Sequence, residues 1–215
     1  EGNQLSVRSA FHEQTVLIPG PNRLTLLQSE RELSFLAGAT GFVGSLVLEQ
    51  LLRVCPTVKQ VYILVRQKKD IPPDTRLQRL LDIGIFHLLW DLPKVLDKIQ
   101  VIHGDIGSEC LGLSEEDRDV LKKEVDFVIH SAADVALDDH IQQTLDSNYC
   151  GTRRLLDFCL DMHHVKALCH VSTAYVNAHQ PQGATVYEKI YPLFYGDHVS
   201  KFLFYDASVF YRSWI

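Results

Sequence analysis

A glycine triplet set between an apolar run and an amphipathic stretch constrains this chain more than any other feature. Leu33-Ser-Phe-Leu-Ala37 leads directly into Gly38-Ala-Thr-Gly41-Phe-Val-Gly44, and residues 42–54 carry apolar side chains at Val43, Val47, Leu51 and Val54. The run reads as a buried parallel strand and the stretch as a helix over 42–54. Between them, Gly38 suits backbone angles that a side chain forbids. Gly41 lets backbone approach a pyrophosphate, and Gly44 lets the helix pack closely on the strand. The first helical turn offers free N–H groups and the positive end of a dipole to an anion. Gly38, Thr40, Gly41, Phe42, Val43 and Gly44 are therefore candidate phosphate contacts. A glycine triplet alone is weak, since an ordinary tight strand-to-helix turn also uses glycine. The strand before it and the second apolar run, Val61-Tyr-Ile-Leu-Val65, supply the context of a dinucleotide-binding unit.

The alternation continues. A helix begins at Asp74-Thr-Arg-Leu-Gln-Arg-Leu-Leu81, and Lys98–His103 is a third strand closed by Gly104-Asp105. Ser114 caps a helix with acids in its first turn, and Asp117 stands where a capping box carries Glu. Val125–His130 is a fourth strand, and 139–163 a long helix with Leu145, Leu155, Leu156, Cys159 and Met162 as core contacts. Val165–Val171 is a fifth strand. Strands alternating with helices specify an α/β, doubly wound parallel sheet of the NAD(P)-binding Rossmann type. The polar 1–31, broken by Pro19-Gly20-Pro21, reads as an N-terminal extension. Residues 32–192 read as the nucleotide-binding domain and 193–215 as an atypical tail.

In such sheets the ligand crosses the carboxyl ends of the strands. NAD-specific versions place an acid after the second strand to hold the ribose 2′-hydroxyl. Here that position is Arg66, with Lys68 close behind. Cations suit a 2′-phosphate, so NADPH is the expected cofactor; the alternative is a solvated basic loop. Asp105 and Ile106 end the third strand, where Asp105 suits the adenine amino group. The small residues Ser131, Ala132 and Ala133 end the fourth and let backbone approach the cofactor. Ser172-Thr173-Ala174-Tyr175 ends the fifth, where the nicotinamide belongs. His130 and His170 read as packed strand residues.

Composition excludes several classes. A net charge of −6 argues against nucleic acid as a partner. The five cysteines are scattered, with no CxxC pair and no metal-ligand cluster, and read as reduced thiols. No apolar run is long enough to span a membrane. The chain starts without Met, and its first residues carry no signal-peptide pattern.

Taken in order, Gly38–Gly44, Tyr62-Ile-Leu-Val-Arg66, Leu113-Ser-Glu-Glu-Asp117, His130-Ser-Ala-Ala133, Asn148-Tyr-Cys-Gly-Thr152 and His170-Val-Ser-Thr-Ala-Tyr-Val-Asn177 resemble the extended short-chain dehydrogenase/reductases. More narrowly, Leu51-Leu-Arg-Val-Cys-Pro56 and Glu188-Lys-Ile-Tyr-Pro192 with these motifs are similar to the alcohol-forming fatty acyl-CoA reductases. The resemblance implies NADPH-dependent reduction of a long-chain fatty acyl-CoA. The thioester takes one hydride, CoA leaves, and the aldehyde takes a second to give a primary alcohol. It implies that Thr173, with Ser172 beside it, is the hydroxyl that binds the carbonyl oxygen, and that Asn148 belongs to the cofactor site. It also implies an intracellular protein at a peroxisomal or endoplasmic-reticulum membrane, with no membrane anchor in this chain.

The chain departs from that pattern. None of its tyrosines has a Lys four residues on, so the family's Tyr-x-x-x-Lys is absent from these residues. Residues 193–215 do not continue the family pattern, and Ala136 follows Val135 where the family tends to a basic or aromatic residue. The sequence reads as truncated: the edge of the fifth strand either stays open or is covered by the tail, and marginal stability is expected of the chain alone. Two alternatives stay open: another extended reductase, of the thioester or carboxylic-acid type, and a non-catalytic nucleotide-binding module.

Overall fold

The computed structural model describes residues 32–187, apart from 56–57, 137–139, 174–176 and 178. The expectations for 1–31 and 193–215, and those resting on Tyr175 and on Glu188–Pro192, lie outside these residues.

Among the described residues five parallel strands form one sheet in the order β3-β2-β1-β4-β5. They are β1 (Leu33–Ala37), β2 (Gln60–Val65), β3 (Ile99–His103), β4 (Phe127–His130) and β5 (Ala167–His170). From β1 at the centre the chain builds outward through β2 and β3, then returns to lay β4 and β5 on the other side of β1. The reversal falls between β1 and β4, where two successive connections leave in opposite directions and open a crevice.

Side chains alternate across a strand, so each central strand feeds two cores. Phe35, Ala37, Tyr62, Leu64 and Val128 face one cluster, closed by Leu121, Leu155, Phe158 and Cys159. Leu36, Val61, Ile63 and Val65 face the other, closed by Leu48, Leu51, Leu52, Phe86 and Leu89. Phe35, Leu36 and Ile63 are fully buried, each contributing roughly 1.5–3 kcal/mol relative to exposure. At the amino edge, the Asp126 carboxylate accepts the Leu33 N–H at 3.1 Å and meets Lys166 Nζ at 2.9 Å.

The helices are α1 (Phe42–Val54), α2 (Pro73–Leu81), α3 (Pro93–Leu96), α4 (Glu115–Glu124), α5 (Ile141–Thr144) and α6 (Gly151–Leu160), with a 3₁₀ turn at Gly84–Leu89. The Ser114 cap forms: its hydroxyl accepts the Asp117 N–H at 3.0 Å and donates to the Asp117 carboxylate at 2.8 Å. Asp117 thus answers the cap side chain itself, where a longer Glu would reach back to the cap N–H.

Two expectations need correction. The long helix is not uniform: α5 runs into a π-helical stretch, Leu145–Cys150, before α6. Leu145, expected in the core, is 53% exposed, whereas Leu155, Cys159 and Met162 are buried. The π turn shifts the helix phase, and this end of the helix projects past the carboxyl edge of the sheet. Val43 is likewise 46% exposed, because the first turn of α1 stands above that edge; Leu48, Leu51 and Leu52 form the buried face instead.

Candidate functional site

The carboxyl ends of β1 to β4 open into a cleft of about 300 Å³. Its floor is the glycine turn. Gly38 has φ +97°, and the Gly41 N–H donates to the Gly38 carbonyl at 2.9 Å. A Cβ on Gly38 would lie 2.5 Å from the Ala132 nitrogen, and one on Gly44 would lie 2.0 Å from the Gly38 oxygen. Both positions therefore demand glycine, by conformation and close approach at the first and by close approach at the second. Gly41 is the N-cap of α1 and has no side chain to satisfy the first-turn N–H groups. The turn thus presents backbone donors to the cleft.

One end of the cleft is cationic. Arg66, Lys68 and Arg76 all line it, from the end of β2, the following loop and the first turn of α2. Arg76 donates through Nη2 to the Thr40 hydroxyl at 2.8 Å and through Nη1 to the Arg66 carbonyl at 2.7 Å. Its pKa is lowered by partial burial and then by the Arg66 charge. Arg66 reaches Asp105 at 3.6 Å across the cleft. Asp105 is in turn shaped by an N–H bond from Gly107 to its Oδ1 at 2.9 Å.

The wall beside the glycine turn is the segment after β4. Ser131, Ala132, Ala133, Asp134 and Val135 all line the cleft. The Ser131 N–H and hydroxyl both donate to the Ala37 carbonyl, at 2.8 and 3.2 Å, which ties the wall to β1.

Of the expected site residues, the cleft gathers Gly38, Thr40, Gly41, Arg66, Lys68, Asp105, Ile106, Ser131, Ala132 and Ala133. Gly44 is buried beneath the turn, while Phe42 and Val43 stand exposed on the first turn of α1. Asn148 stands behind the wall, its amide bonded to the backbone of Asp134. Ser172 and Thr173 follow β5 one strand further out and are exposed. Sequence reasoning missed Arg76, Asp134 and Ser147. For Arg76 a signal existed: a second cation in the first turn of the helix after the basic loop, on the side that returns to the strand end.

His130 and His170 close the core beneath this edge, with ring centroids 4.9 Å apart. His130 is buried, and its pKa is pushed down to about 3, by burial first and by His170 second. Both rings are thus kept neutral, as packed residues. Among the described residues no cluster of His, Cys, Asp or Glu could hold a metal ion, and no helix is long and apolar enough to cross a membrane.

Residues 36–201 match the family model described as male sterility protein, an NAD-binding domain. The chain is 41% identical to the Drosophila melanogaster fatty acyl-CoA reductase homologue CG8306 over 160 residues, 74% of this chain and 30% of that protein. It is 36% identical to human fatty acyl-CoA reductase 1 over 158 residues, again 30% of the relative. The chain thus spans about a third of the length of the curated relatives it matches. Among solved structures it resembles the terminal R domain of the myxalamid PKS-NRPS pathway, at 28% identity and a TM-score of 0.58 over 79% of this chain and 42% of that one. It also resembles the reductase domain of a nonribosomal peptide synthetase from Mycobacterium tuberculosis, at 27% identity and a TM-score of 0.59 over 83% and 38%.

Proposed function

We propose, from the premise that this chain belongs to the male sterility family of NAD-binding domains and has fatty acyl-CoA reductases as relatives, that it forms the NADPH-binding part of a reductase turning long-chain fatty acyl-CoA into primary fatty alcohol. The observation that carries the cofactor choice is the trio Arg66, Lys68 and Arg76 beside the glycine turn. A ribose 2′-phosphate placed there would meet planar guanidinium donors already oriented by Thr40 and by backbone. An NADH ribose brings no anion to these cations, of which Arg66 alone faces a carboxylate, Asp105 at 3.6 Å.

The residues present fit the group. The space a Cβ would fill at Gly38 and Gly44 is taken up by close backbone approach, which leaves first-turn N–H groups of α1 for the pyrophosphate. Asp105 is placed to accept from an adenine amino group once Arg66 turns to the phosphate. Ala132 and Ala133 give a low wall for the ribose of the nicotinamide half. When bound, NADPH supplies the hydride equivalents of the reduction.

Thr173 and Ser172 are the proposed donors to the carbonyl oxygen as it gains negative charge. Their position after β5, next in the sheet to β4 and its wall segment, supports this reading. By the same family reading the whole protein works at a peroxisomal or endoplasmic-reticulum membrane, which fractionation of the tagged protein would test.

Titration of the chain with NADPH and NADH, followed by tryptophan fluorescence or calorimetry, tests the cofactor choice. Binding of NADPH tenfold or more tighter than NADH is expected. Equal affinities would remove the role given to the cation trio.

A further inference from the structure

The cleft is electrically asymmetric. β2 and β4 flank β1 in the sheet, so the segments that follow them enter the cleft from opposite sides, about 10 Å apart by strand spacing. The β2 side carries the cations Arg66, Lys68 and Arg76. The β4 side carries a carboxylate, Asp134, four residues past the end of the strand.

The two acids of the cleft differ in their surroundings. Asp105 faces Arg66 at 3.6 Å, so its charge is offset within the protein. Asp134 meets no cation among the described residues. Its Oδ1 accepts the Ala136 N–H at 3.0 Å, which holds the carboxylate against its own backbone. Its main chain is bonded on both sides to the Asn148 carboxamide, at 2.6 and 2.8 Å. The charge is therefore kept on the wall by bonds already made. The residue is half-buried, where water screens a charge less than on an open surface.

We propose that Asp134 sets which redox form of the cofactor the cleft prefers, holding the oxidised form, NADP⁺, more tightly than the same cleft would without this charge. This rests on the dinucleotide reading above, with the nicotinamide half on the β4 side. The reduced nicotinamide ring is neutral, and the oxidised ring carries one positive charge. The rest of the molecule is the same in both forms. Its contacts with the glycine turn and the cations therefore cancel when the two affinities are divided. What remains is the response of the site to one ring charge, and the charge that the β4 wall presents is that of Asp134. An acid there favours the cation. A site built this way is sensitive to spent cofactor as a competitor, so its occupancy follows the ratio of NADPH to NADP⁺.

Titration of the full 215-residue chain with NADP⁺ and with NADPH, read by calorimetry, gives the ratio of the two dissociation constants. In Asp134→Asn that ratio, NADP⁺ over NADPH, is expected to rise roughly fivefold or more, the effect of a charge pair in contact even at the dielectric of water. The substitution keeps a side-chain oxygen for the Ala136 N–H. A distorted wall would weaken both forms and leave the ratio alone. Asp134→Glu keeps the charge and is expected to keep the ratio of the unsubstituted chain. Asp105→Asn, at the far end, is expected to move both affinities together. An unchanged ratio in Asp134→Asn, or an equal shift in Asp134→Glu or Asp105→Asn, would overturn the proposal. If Asp134→Asn does not fold, Asp134→Ser decides by the same ratio, because its hydroxyl also accepts an N–H two residues on. The ratio taken with NAD⁺ and NADH is expected to shift alike, so a missing 2′-phosphate preference would leave this test standing. No binding of either form by the unsubstituted chain would sink the cofactor reading and this proposal with it.

Discussion

Arg76 Nη2 lies 2.8 Å from the hydroxyl oxygen of Thr40, so the first turn of α2 is bonded to the glycine turn after β1. The other arm of the same guanidinium caps the Arg66 carbonyl at the end of β2. One side chain thus joins the phosphate floor of the cleft to its cationic end, and it does so before any ligand arrives. Preorganised donors lose little freedom on binding an anion, which is where affinity is usually lost.

Arg76→Met is therefore expected to abolish most of the preference for NADPH over NADH. A charge-assisted bond contributes about 1.5–3 kcal/mol, or roughly a ten- to hundredfold change in the dissociation constant. NADH affinity should barely move. The pair of titrations checks this, and an equal loss for both cofactors would mean that Arg76 serves the fold and not the phosphate.

Gly44→Ala should be severe and Gly84→Ala mild. A Cβ on Gly44 meets the Gly38 carbonyl oxygen at 2.0 Å, against backbone that has no room to yield, whereas a Cβ on Gly84 meets nothing within 4 Å. Overpacking of this kind costs about 1–3 kcal/mol or more. Urea unfolding midpoints of the two variants test the contrast. Similar midpoints would show that the glycine turn relaxes more easily than its packing indicates.

Acid should destabilise the fold through the buried histidines. The folded pKa of His130 is about 3, depressed from 6.5, and that of His170 is depressed as well. Above pH 6.5 both states are neutral and the stability is fully present. As the pH falls from 6.5 towards 3, the unfolded chain takes up protons that the folded one refuses. Stability is then lost at up to about 1.4 kcal/mol per pH unit for each such group. Melting temperature measured against pH should show this slope, and His130→Gln should flatten it. An unchanged slope in that variant would place the acid sensitivity elsewhere.

Among the described residues β5 pairs on one side only, with β4. An unpaired edge templates association between chains. Cys169 is exposed on that strand, so Cys169→Lys places a charge on the edge without touching the core. The variant is expected to stay monomeric at concentrations where the unsubstituted chain associates. Light scattering across a concentration series reads this, and equal association of both chains would locate the sticky surface elsewhere.

Much of the scaffold is legible in the chain because it depends on local pattern. Leu33–Ala37 is buried at every position, and a fully buried parallel strand has no polar side to encode. Arg66 and Asp105 are readable as cleft residues because a parallel strand delivers whatever follows it to the carboxyl edge. The pattern misleads where an element outruns the core. Val43 and Leu145 repeat at helical spacing, yet they project beyond the sheet, where no described residue buries them.

The sequence by itself determined the doubly wound sheet, the glycine turn and the basic end of the cleft. These follow from side-chain periodicity, from glycine's freedom at φ +97° and from charge at a strand end. Only the tertiary structure decided that Arg76 belongs to that end, that Asn148 is occupied by the backbone of Asp134, and that His130 is hydrogen-bonded to Thr152. Each of these is a hydrogen bond between residues far apart in sequence. Such a bond needs both atoms within about 3 Å and aligned. Residue type and spacing cannot specify that, because the positions of the partners are set by how separate elements pack.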